Sequence, residues 1–341
     1  MLDINLLKNR LSKILPKRNA DCLGIDVEGN IIRAVRLKKN TDGLLGIAAC
    51  HTIETNLQEA DAVEKQRLKD QLKYLAGGSQ RCALTMEHST LRVRRMSLAG
   101  MPENDLLEAI RWNFRDHVDC PIEKYHVGYT PLKGYSEGTQ IALMAYGVHE
   151  DAVHEHVQFT KDLGLKLVSL EPAITAMLAA FYKNNLLKEK KYTACLSLGD
   201  NITRFVVLTH AVPLFSRPLV GMNMENILKS IVRELNLSTD QGKVIFQRWI
   251  DAKQDEAIMI SLQNEIGADQ FEKISDLVAT FRSQLVIELQ RSIDAFCIMY
   301  NIDNVDELYF CGAGVDIPGV IDQMQHSLGL ASTIFDPFAS F

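Results

Sequence analysis

Long apolar runs, an excess of basic residues and paired cysteines are all missing from this chain of 341 residues. No stretch approaches the roughly 20 apolar residues that span a bilayer, so the sequence predicts no transmembrane helix. The 37 Lys and Arg are outnumbered by 43 Asp and Glu, which argues against a general nucleic-acid binder because neutralising phosphates needs a basic face. The seven cysteines form no Cys-x-x-Cys pair, which favours a reducing cytosol over a disulfide scaffold.

The composition that is present is typical of a soluble, folded protein. Hydrophobic residues make up 47% of the chain and charged residues 23%, enough to build a sizeable core. The length corresponds to roughly two domains at ~150 residues each. No clusters with metal-ligand spacing occur, so we predict no metal site formed by the protein alone. The acidic charge balance likewise predicts no nucleic-acid partner.

The first 18 residues are apolar at helical spacing and otherwise basic. Ile4, Leu7, Leu11 and Ile14 recur every three or four residues. Lysines and arginines interrupt any signal-peptide core. One interpretation is a short helix on an anionic inner leaflet or on a partner. The other is a helix packed on its own domain, or a frayed terminus.

Alternating strand and helix patterns predict a mixed α/β fold. Strands are expected at 22–38 (two, around a turn at Glu28-Gly29-Asn30), 45–53, 81–86, 91–98, 125–131, 140–147, 166–170, 193–219 (three) and 308–314. Helices are expected at 58–75, after Pro102, at 150–163, after Pro172, and at 223–235, 239–251, 276–300 and 317–327.

An internal repeat indicates two related lobes. Aligning Asp26 with Ser197 places Asn30-Ile31-Ile32-Arg33 on Asn201-Ile202-Thr203-Arg204. Each of these strand-turn-strand units is followed by further strands and helices. Internal duplication of this kind resembles the actin-like ATPases. The resemblance implies an actin-like (ribonuclease H-like) two-lobed fold with a nucleotide between the lobes.

That resemblance implies three nucleotide-binding elements, with ATP or ADP and magnesium as ligands. They are the two hairpin turns, whose N–H groups can point at phosphates, and a glycine-rich turn where backbone packs against the nucleoside. The candidate residues are Asp26, Gly29, Asn30, Gly199, Asp200, Asn201, Thr203, Gly221, Gly312, Ala313 and Gly314. Asp26 and Asp200 could equally be turn-capping residues without a ligand.

Two of the three elements depart from the actin-like pattern. Ser197 stands where the family usually has an Asp that helps hold the metal and the attacking water. Glu28 stands where relatives have glycine, and its carboxylate would repel phosphates unless a metal or a base neutralises it. We therefore name no catalytic residue and predict weak or no hydrolysis.

A segment in the middle of the chain is similar to the inserted subdomain of the PilM family, which is related to FtsA. It runs from Met101-Pro102 through Ala109-Ile110-Arg111-Trp112 to Pro121-Ile122, and the likeness extends over residues 21–336. The expected domains are an N-terminal segment (1–20), a first lobe (21–89 and 166–190), an inserted subdomain (90–165) and a second lobe (191–341). The second lobe includes a helical part at 223–275.

This resemblance implies a partner. PilM proteins are cytoplasmic, act at the type IV pilus inner-membrane platform, and grip the tail of the membrane protein PilN through its motif Ile-Asn-Leu-Leu-Pro. The present chain itself carries Ile4-Asn5-Leu6-Leu7. Coincidence, a pseudo-ligand from the same or a neighbouring chain, and a fusion all remain open, as does a homo-oligomer.

Trp112 is the main candidate for a partner contact. At ~100° per residue it lies about 200° from Ile110, away from an expected buried face of Leu107, Ile110, Phe114 and Val118. With Arg111 and Arg115 it has the composition of a binding hot spot. Cover by another part of the subdomain is the alternative.

Two other functions compete with a scaffold. A carbohydrate kinase or active ATPase would require an Asp base and intact phosphate loops, which Ser197 and Glu28 do not supply. An FtsA-like filament protein is expected to carry a C-terminal membrane helix, and only a short segment follows the glycine turn. The sequence therefore favours a scaffold peripheral to the inner membrane.

Overall fold

The computed structural model describes residues 21–341 except 42, 56–59, 119, 133, 137 and 211. The chain forms two compact units. The first takes in the described residues up to Leu186, together with His210–Leu214 and Pro337–Phe341. The second comprises Leu187–Thr209 and Phe215–Asp336.

The first unit contains eight strands and four helices among its described residues up to Leu186. In chain order these are β1 (Cys22–Glu28), β2 (Ile31–Lys39), β3 (Leu45–Glu54), α1 (Ala62–Ala76), β4 (Arg81–Met86), β5 (Arg92–Ala99), α2 (Glu103–Phe114), β6 (Tyr125–Pro131), β7 (Gln140–His149), α3 (Glu150–Asp162), β8 (Lys166–Pro172) and α4 (Ala173–Lys183).

The main sheet of this unit has the order β3-β2-β1-β4-β8. β1 pairs antiparallel with β2 and parallel with β4, so a hairpin feeds a parallel half-sheet. Helix α1 covers one face by burying the apolar residues Leu68, Leu72 and Leu75. Its ends follow the expected chemistry, because Asp61 caps the N-terminus and Gly77 ends the helix at φ 55°.

Three strands in the order β5-β7-β6 form a separate small sheet inside the first unit. Helix α2 packs on this sheet through Leu106, Ile110 and Phe114, which contact a cluster that includes Leu143 and Ala145. The prediction that Leu107 and Val118 belong to the buried face of this helix is wrong. The helix ends at Phe114, so Val118 lies beyond it and Leu106 takes the buried place.

The second unit repeats the architecture of the main sheet. Its elements are β9 (Thr193–Leu198), β10 (Thr203–Leu208), β11 (Pro213–Pro218), α5 (Met224–Leu235), α6 (Thr239–Ala252), α7 (Glu256–Ile266), α8 (Ala268–Tyr300), β12 (Glu307–Cys311), α9 (Val320–Leu328) and β13 (Ser332–Ile334). The strand order is β11-β10-β9-β12-β13, with β9 antiparallel to β10 and parallel to β12.

Helix α8 is the main support of this second sheet. It buries residues at steps of three and four, from Phe271 to Phe296, as the sequence predicts. Phe296 lies 5.8 Å from Phe215 of β11 between ring centroids, and Phe215 lies 6.1 Å from Phe205 of β10. The helix begins at Ala268 rather than at the expected residue 276, because the buried stripe continues back through Ile274.

Helix α7 lies within the helical part expected at 223–275 but was given no bounds of its own, and strand β13 was not predicted. Helix α7 buries only Leu262 fully, so its apolar periodicity is weak. Strand β13 has three residues and pairs only with β12. Among the described residues, no helix combines the length and the apolar composition needed to cross a membrane.

Candidate nucleotide and partner sites

A tight turn closes the first hairpin. Glu28 pairs with Ile31 across the ladder, which leaves Gly29 and Asn30 as the two turn residues. Gly29 has φ 58°, in the left-handed region that glycine adopts without strain. The predicted site residues Asp26, Gly29 and Asn30 therefore lie at one end of one hairpin.

Arg33 neutralises the acidic residues beside this turn. It lies opposite Asp26 in the ladder, and its Nη1 donates to Glu28 at 3.0 Å and to Asp26 at 3.5 Å. The Thr85 hydroxyl donates to the other oxygen of Asp26. The Glu28 side chain is only 15% exposed. Arg33 is thus the basic residue that neutralises Glu28, and it lies in the same hairpin. It was not among the predicted site residues.

The second hairpin has the same register. Asp26 pairs with Arg33 in the first unit, and Ser197 pairs with Arg204 in the second. The alignment of the two repeats therefore describes the ladders correctly. Arg204 is 9% exposed, and its Nη1 donates to the Ser216 hydroxyl at 3.0 Å.

The turn of the second hairpin is hydrogen-bonded to the start of helix α5. The N–H groups of Met224 and Glu225 donate to the carbonyls of Gly199 and Asp200 at 3.2 and 2.9 Å. The Asn223 side chain donates to the Asn201 carbonyl at 2.5 Å. Two of the first N–H groups of α5 are therefore used by the turn. The sequence prediction placed Asn223 at a helix start but did not identify this role.

Gly221 belongs to the same cluster. Its carbonyl accepts a hydrogen bond from the Asn226 side chain at 3.2 Å, and its φ is 81°. The structure therefore brings Gly221 close to the residues of the second turn, through the first turn of α5. In the first unit, the equivalent turn has no such helix among the described residues.

The glycine-rich turn after β12 packs against β9. Gly312 has φ 93°, and a Cβ there would overlap the Leu198 backbone. A Cβ on Gly314 would overlap the Leu198 side chain. Intramolecular packing therefore requires both glycines and accounts for them without the approach of a ligand. Ala313 lies between them in the short turn Ala313–Asp316.

Ser197 lies beside two cysteine side chains. It pairs with Cys311 of β12, and the Sγ atoms of Cys311 and Cys195 lie 3.7 Å apart. The hydrogen bond from Cys195 lowers the pKa of the Cys311 thiol, with a further contribution from Ser197, although burial opposes it. Burial raises the pKa of Cys195.

This donor set does not fit magnesium at Ser197. Mg²⁺ takes oxygen ligands, chiefly carboxylates, phosphates and water, whereas thiols prefer softer metals. A hydroxyl beside two thiols lacks the negative oxygen that the actin-like pattern supplies. Over the described residues, no three His, Cys, Asp or Glu side chains are grouped to hold a metal ion.

Thr203 of the second hairpin has a side chain that fits a polar ligand. Its Oγ1 is buried and has no hydrogen-bond partner among the described residues. A buried hydroxyl without a partner costs ~1–3 kcal/mol, so it is an unusual feature directly after a turn. The residues present therefore fit a phosphate oxygen better than they fit a metal.

The candidate partner residues lie on helix α2. Trp112 is 66% exposed, as its place on the helix predicts, and Arg111 and Arg115 are exposed beside it. The Arg115 guanidinium carbon lies 5.5 Å from the Trp112 ring centroid, within the range of a cation–π contact. The other partner candidates, Ile4, Asn5, Leu6 and Leu7, lie outside the described residues.

Two hairpins in duplicated sheets, with an inserted subdomain in the first unit, define the class of actin-like proteins. The family model "Type IV pilus assembly protein PilM" matches residues 24–341. The chain belongs to the PilM family, and its role lies in type IV pilus assembly.

A solved structure of the PilM-PilN type IV pilus biogenesis complex is 20% identical, with a TM-score of 0.74, and the match covers 94% of this chain and 89% of that one. The likeness shows that the two share a fold. A Bacteroides thetaiotaomicron protein with an actin-like ATPase fold has a TM-score of 0.48 at 9% identity, covering 95% and 93% of the two chains. A comparison with curated proteins gave no significant match.

Proposed function

We propose that this protein is a scaffold of the type IV pilus inner-membrane platform, which binds the cytoplasmic tail of a PilN-like membrane protein. The observation that carries the proposal is the exposed Trp112 with its two flanking arginines on the inserted subdomain. The solved PilM-PilN complex supports it by its shared fold. The partner would hold the protein at the cytoplasmic face of the inner membrane, peripheral to the bilayer.

The chemistry of this helix face suits a short apolar tail. An exposed Trp offers a large contact area with little conformational entropy to lose, and arginines can bind the main-chain carbonyls of an extended peptide. Helix α2 packs on its sheet through its three buried residues, so the exposed side chains lie on a helix whose opposite face is part of the core.

Calorimetry with a peptide containing Ile-Asn-Leu-Leu-Pro tests the proposal. We expect saturable binding to the full chain and none to a scrambled peptide of equal composition. A chain lacking residues 1–18 should bind more tightly if its own Ile4–Leu7 occupies the peptide-binding surface. No binding by either form of the chain would contradict the scaffold proposal, and equal affinity would exclude self-occlusion only.

We also propose that ATP or ADP binds without efficient hydrolysis. The orphaned Thr203 hydroxyl supports a phosphate contact, and Ser197 beside two thiols gives no support for magnesium. Nucleotide affinity should therefore change little on adding magnesium, and Thr203→Val should weaken it. A strict magnesium requirement for binding would contradict this proposal and leave the scaffold role intact.

A further inference from the structure

Strands β9 and β12 carry two free cysteines whose side chains are in contact. The Sγ atoms of Cys195 and Cys311 lie 3.7 Å apart, which is van der Waals contact for two sulfurs. The register of the two strands explains this contact. Cys311 pairs with Ser197, and Ser197 lies two residues from Cys195 on the same face of β9. The two cysteines are therefore diagonal neighbours on one face of the sheet.

The equivalent strands of the first unit also carry two cysteines, but in a different arrangement. Cys22 lies on β1 and Cys82 on β4, and these strands are parallel neighbours as β9 and β12 are. The register partner of Cys82 is Leu23, the residue next to Cys22. Because adjacent residues of a strand point to opposite faces, the two thiols lie on opposite sides of the sheet. The first unit thus provides an internal comparison for the cysteines of the second.

The two thiols of the second unit differ in their access to solvent. Cys195 is fully buried, whereas Cys311 is only partly buried. The hydrogen bond from Cys195 also lowers the pKa of the Cys311 thiol, although burial opposes this, and burial raises the pKa of Cys195. The thiolate is the form that reacts with oxidants. Cys311 is therefore the sulfur that a small oxidant reaches first, with Cys195 in place to react next.

We propose that Cys195 and Cys311 are a site of reversible oxidation, at which a peroxide produces an intramolecular disulfide. The Cys311 thiolate attacks one oxygen of hydrogen peroxide, the O–O bond breaks, and Cys311 becomes a sulfenic acid. The second oxygen leaves as hydroxide and takes up the Cys311 proton to form water. The Cys195 sulfur then attacks the Cys311 sulfur, the S–O bond breaks, and the hydroxyl group leaves with the Cys195 proton as a second water. The sulfurs lose two electrons, which the peroxide gains.

The disulfide lies at the ends of two strands that lead into turns. Strand β9 ends at Leu198, directly before the turn of the second hairpin, and β12 ends at Cys311, directly before Gly312. The bond joins residues that are 116 positions apart in the chain, so it restrains the second unit beside the glycine-rich turn. In a reducing compartment such a bond forms transiently and is reduced again by thiols. The inference is independent of the proposed pilus partner and of any nucleotide.

Oxidation of the folded full chain with hydrogen peroxide, followed by peptide mapping, tests the proposal. After the remaining thiols have been alkylated, mass spectrometry of the monomer should show the Cys195 peptide linked to the Cys311 peptide. Dithiothreitol should release both peptides. Cys22 and Cys82 should stay unlinked in the same sample. A Cys22–Cys82 disulfide of comparable yield, or oxidised protein in which Cys195 and Cys311 remain separate, would overturn the proposal.

Two matched variants show whether the two thiols act as a pair. In Cys195→Ala the disulfide is lost, so Cys311 should accumulate as a sulfenic acid and be labelled by dimedone far more than in the wild type. Cys297→Ala removes another buried cysteine, on α8, and should give the wild-type yield of disulfide. Equal labelling of Cys311 in Cys195→Ala and in the wild type would contradict the proposal. Circular dichroism checks that each variant folds, and the wild-type peptide map decides the question if Cys195→Ala does not.

Discussion

Ser197 pairs with Arg204 across one ladder in the register in which Asp26 pairs with Arg33 across the other. The arginine is retained at both places, but its opposite residue is a carboxylate in one hairpin and a hydroxyl in the other. The charge of Arg33 is balanced by Asp26 and Glu28. The duplicated backbone therefore supports two different electrostatic environments.

ATP hydrolysis is expected to stay at background. With ATP and magnesium, the protein should release no more phosphate than a buffer control, because Ser197 supplies no carboxylate for a metal or a water. Asp200→Ala and Thr203→Ala should leave this background unchanged. Steady turnover that disappears in both variants would show an active ATPase, measured by phosphate release under steady-state conditions.

Trp112→Ala should separate partner binding from folding. Trp112 is 66% exposed, so the variant should melt cooperatively near the wild-type temperature. Its affinity for the PilN-like tail peptide should fall by about 2 kcal/mol, roughly thirtyfold, which is a typical hot-spot loss. Asn113→Ala, on the same helix and also exposed, is the control and should bind normally. Wild-type affinity in Trp112→Ala would remove this residue from the interface.

Gly312→Ala should destabilise the second unit. The backbone at φ 93° and ψ 173° is almost exclusive to glycine, and a Cβ would overlap Leu198. We expect a loss of about 3 kcal/mol in the free energy of unfolding. Gly329→Ala is the matched control, with φ 61° and open space around its Cβ, and should lose only about 1 kcal/mol. Urea denaturation measures both, and equal losses would show that the Leu198 contact is unimportant.

Asp21 should give stability a measurable dependence on acid pH. The hydrogen bond from Arg36 lowers the pKa of the Asp21 carboxyl, although burial opposes this. A lowered pKa in the folded state stabilises above the unfolded value of about 4, and the contribution is lost as the pH falls through the folded pKa. Asp21→Asn should therefore cost about 1 kcal/mol at pH 7 and less at pH 2, where the carboxyl becomes protonated.

The control for this titration is Asp276→Asn, which changes an exposed carboxylate on α8. It should have little effect at either pH. Denaturant unfolding at both pH values gives the two differences. If Asp21→Asn loses the same stability at pH 2 as at pH 7, the effect comes from packing and not from the Arg36 ion pair.

The sequence predicted the sheets because their strands are short, apolar and punctuated by glycine turns. The hairpin at Gly29 and the repeat that relates Asp26 to Ser197 were both readable from residue types. The roles of Arg33 and Asn223 were missed, because each depends on which side chain lies across a ladder or a turn. That relationship follows from the register, which single residues do not reveal.

The prediction of individual helices and of their ends was the least accurate part. Helix α7 has one fully buried residue, so its apolar periodicity gives little signal. The prediction placed Val118 on the buried face of α2, but the helix ends at Phe114. The apolar periodicity in the sequence continues past the point where the helix ends. In the site, residue types alone drew attention to the glycines at 312 and 314, but the packing against Leu198 that requires them could not be read from composition.

The matching strand orders of the two sheets have an evolutionary consequence. In the first unit the long addition β5–α3 stands between β4 and β8, which remain neighbours in the sheet. In the second unit the corresponding strands β12 and β13 are joined by a connection that contains only one α-helix, α9, and the helices α5–α8 stand between β11 and β12. Each copy thus carries its additional elements between a different pair of strands, whereas the order of its five strands is the same. Recognition surfaces on such additions can change in sequence without altering the five-stranded sheet to which they are attached.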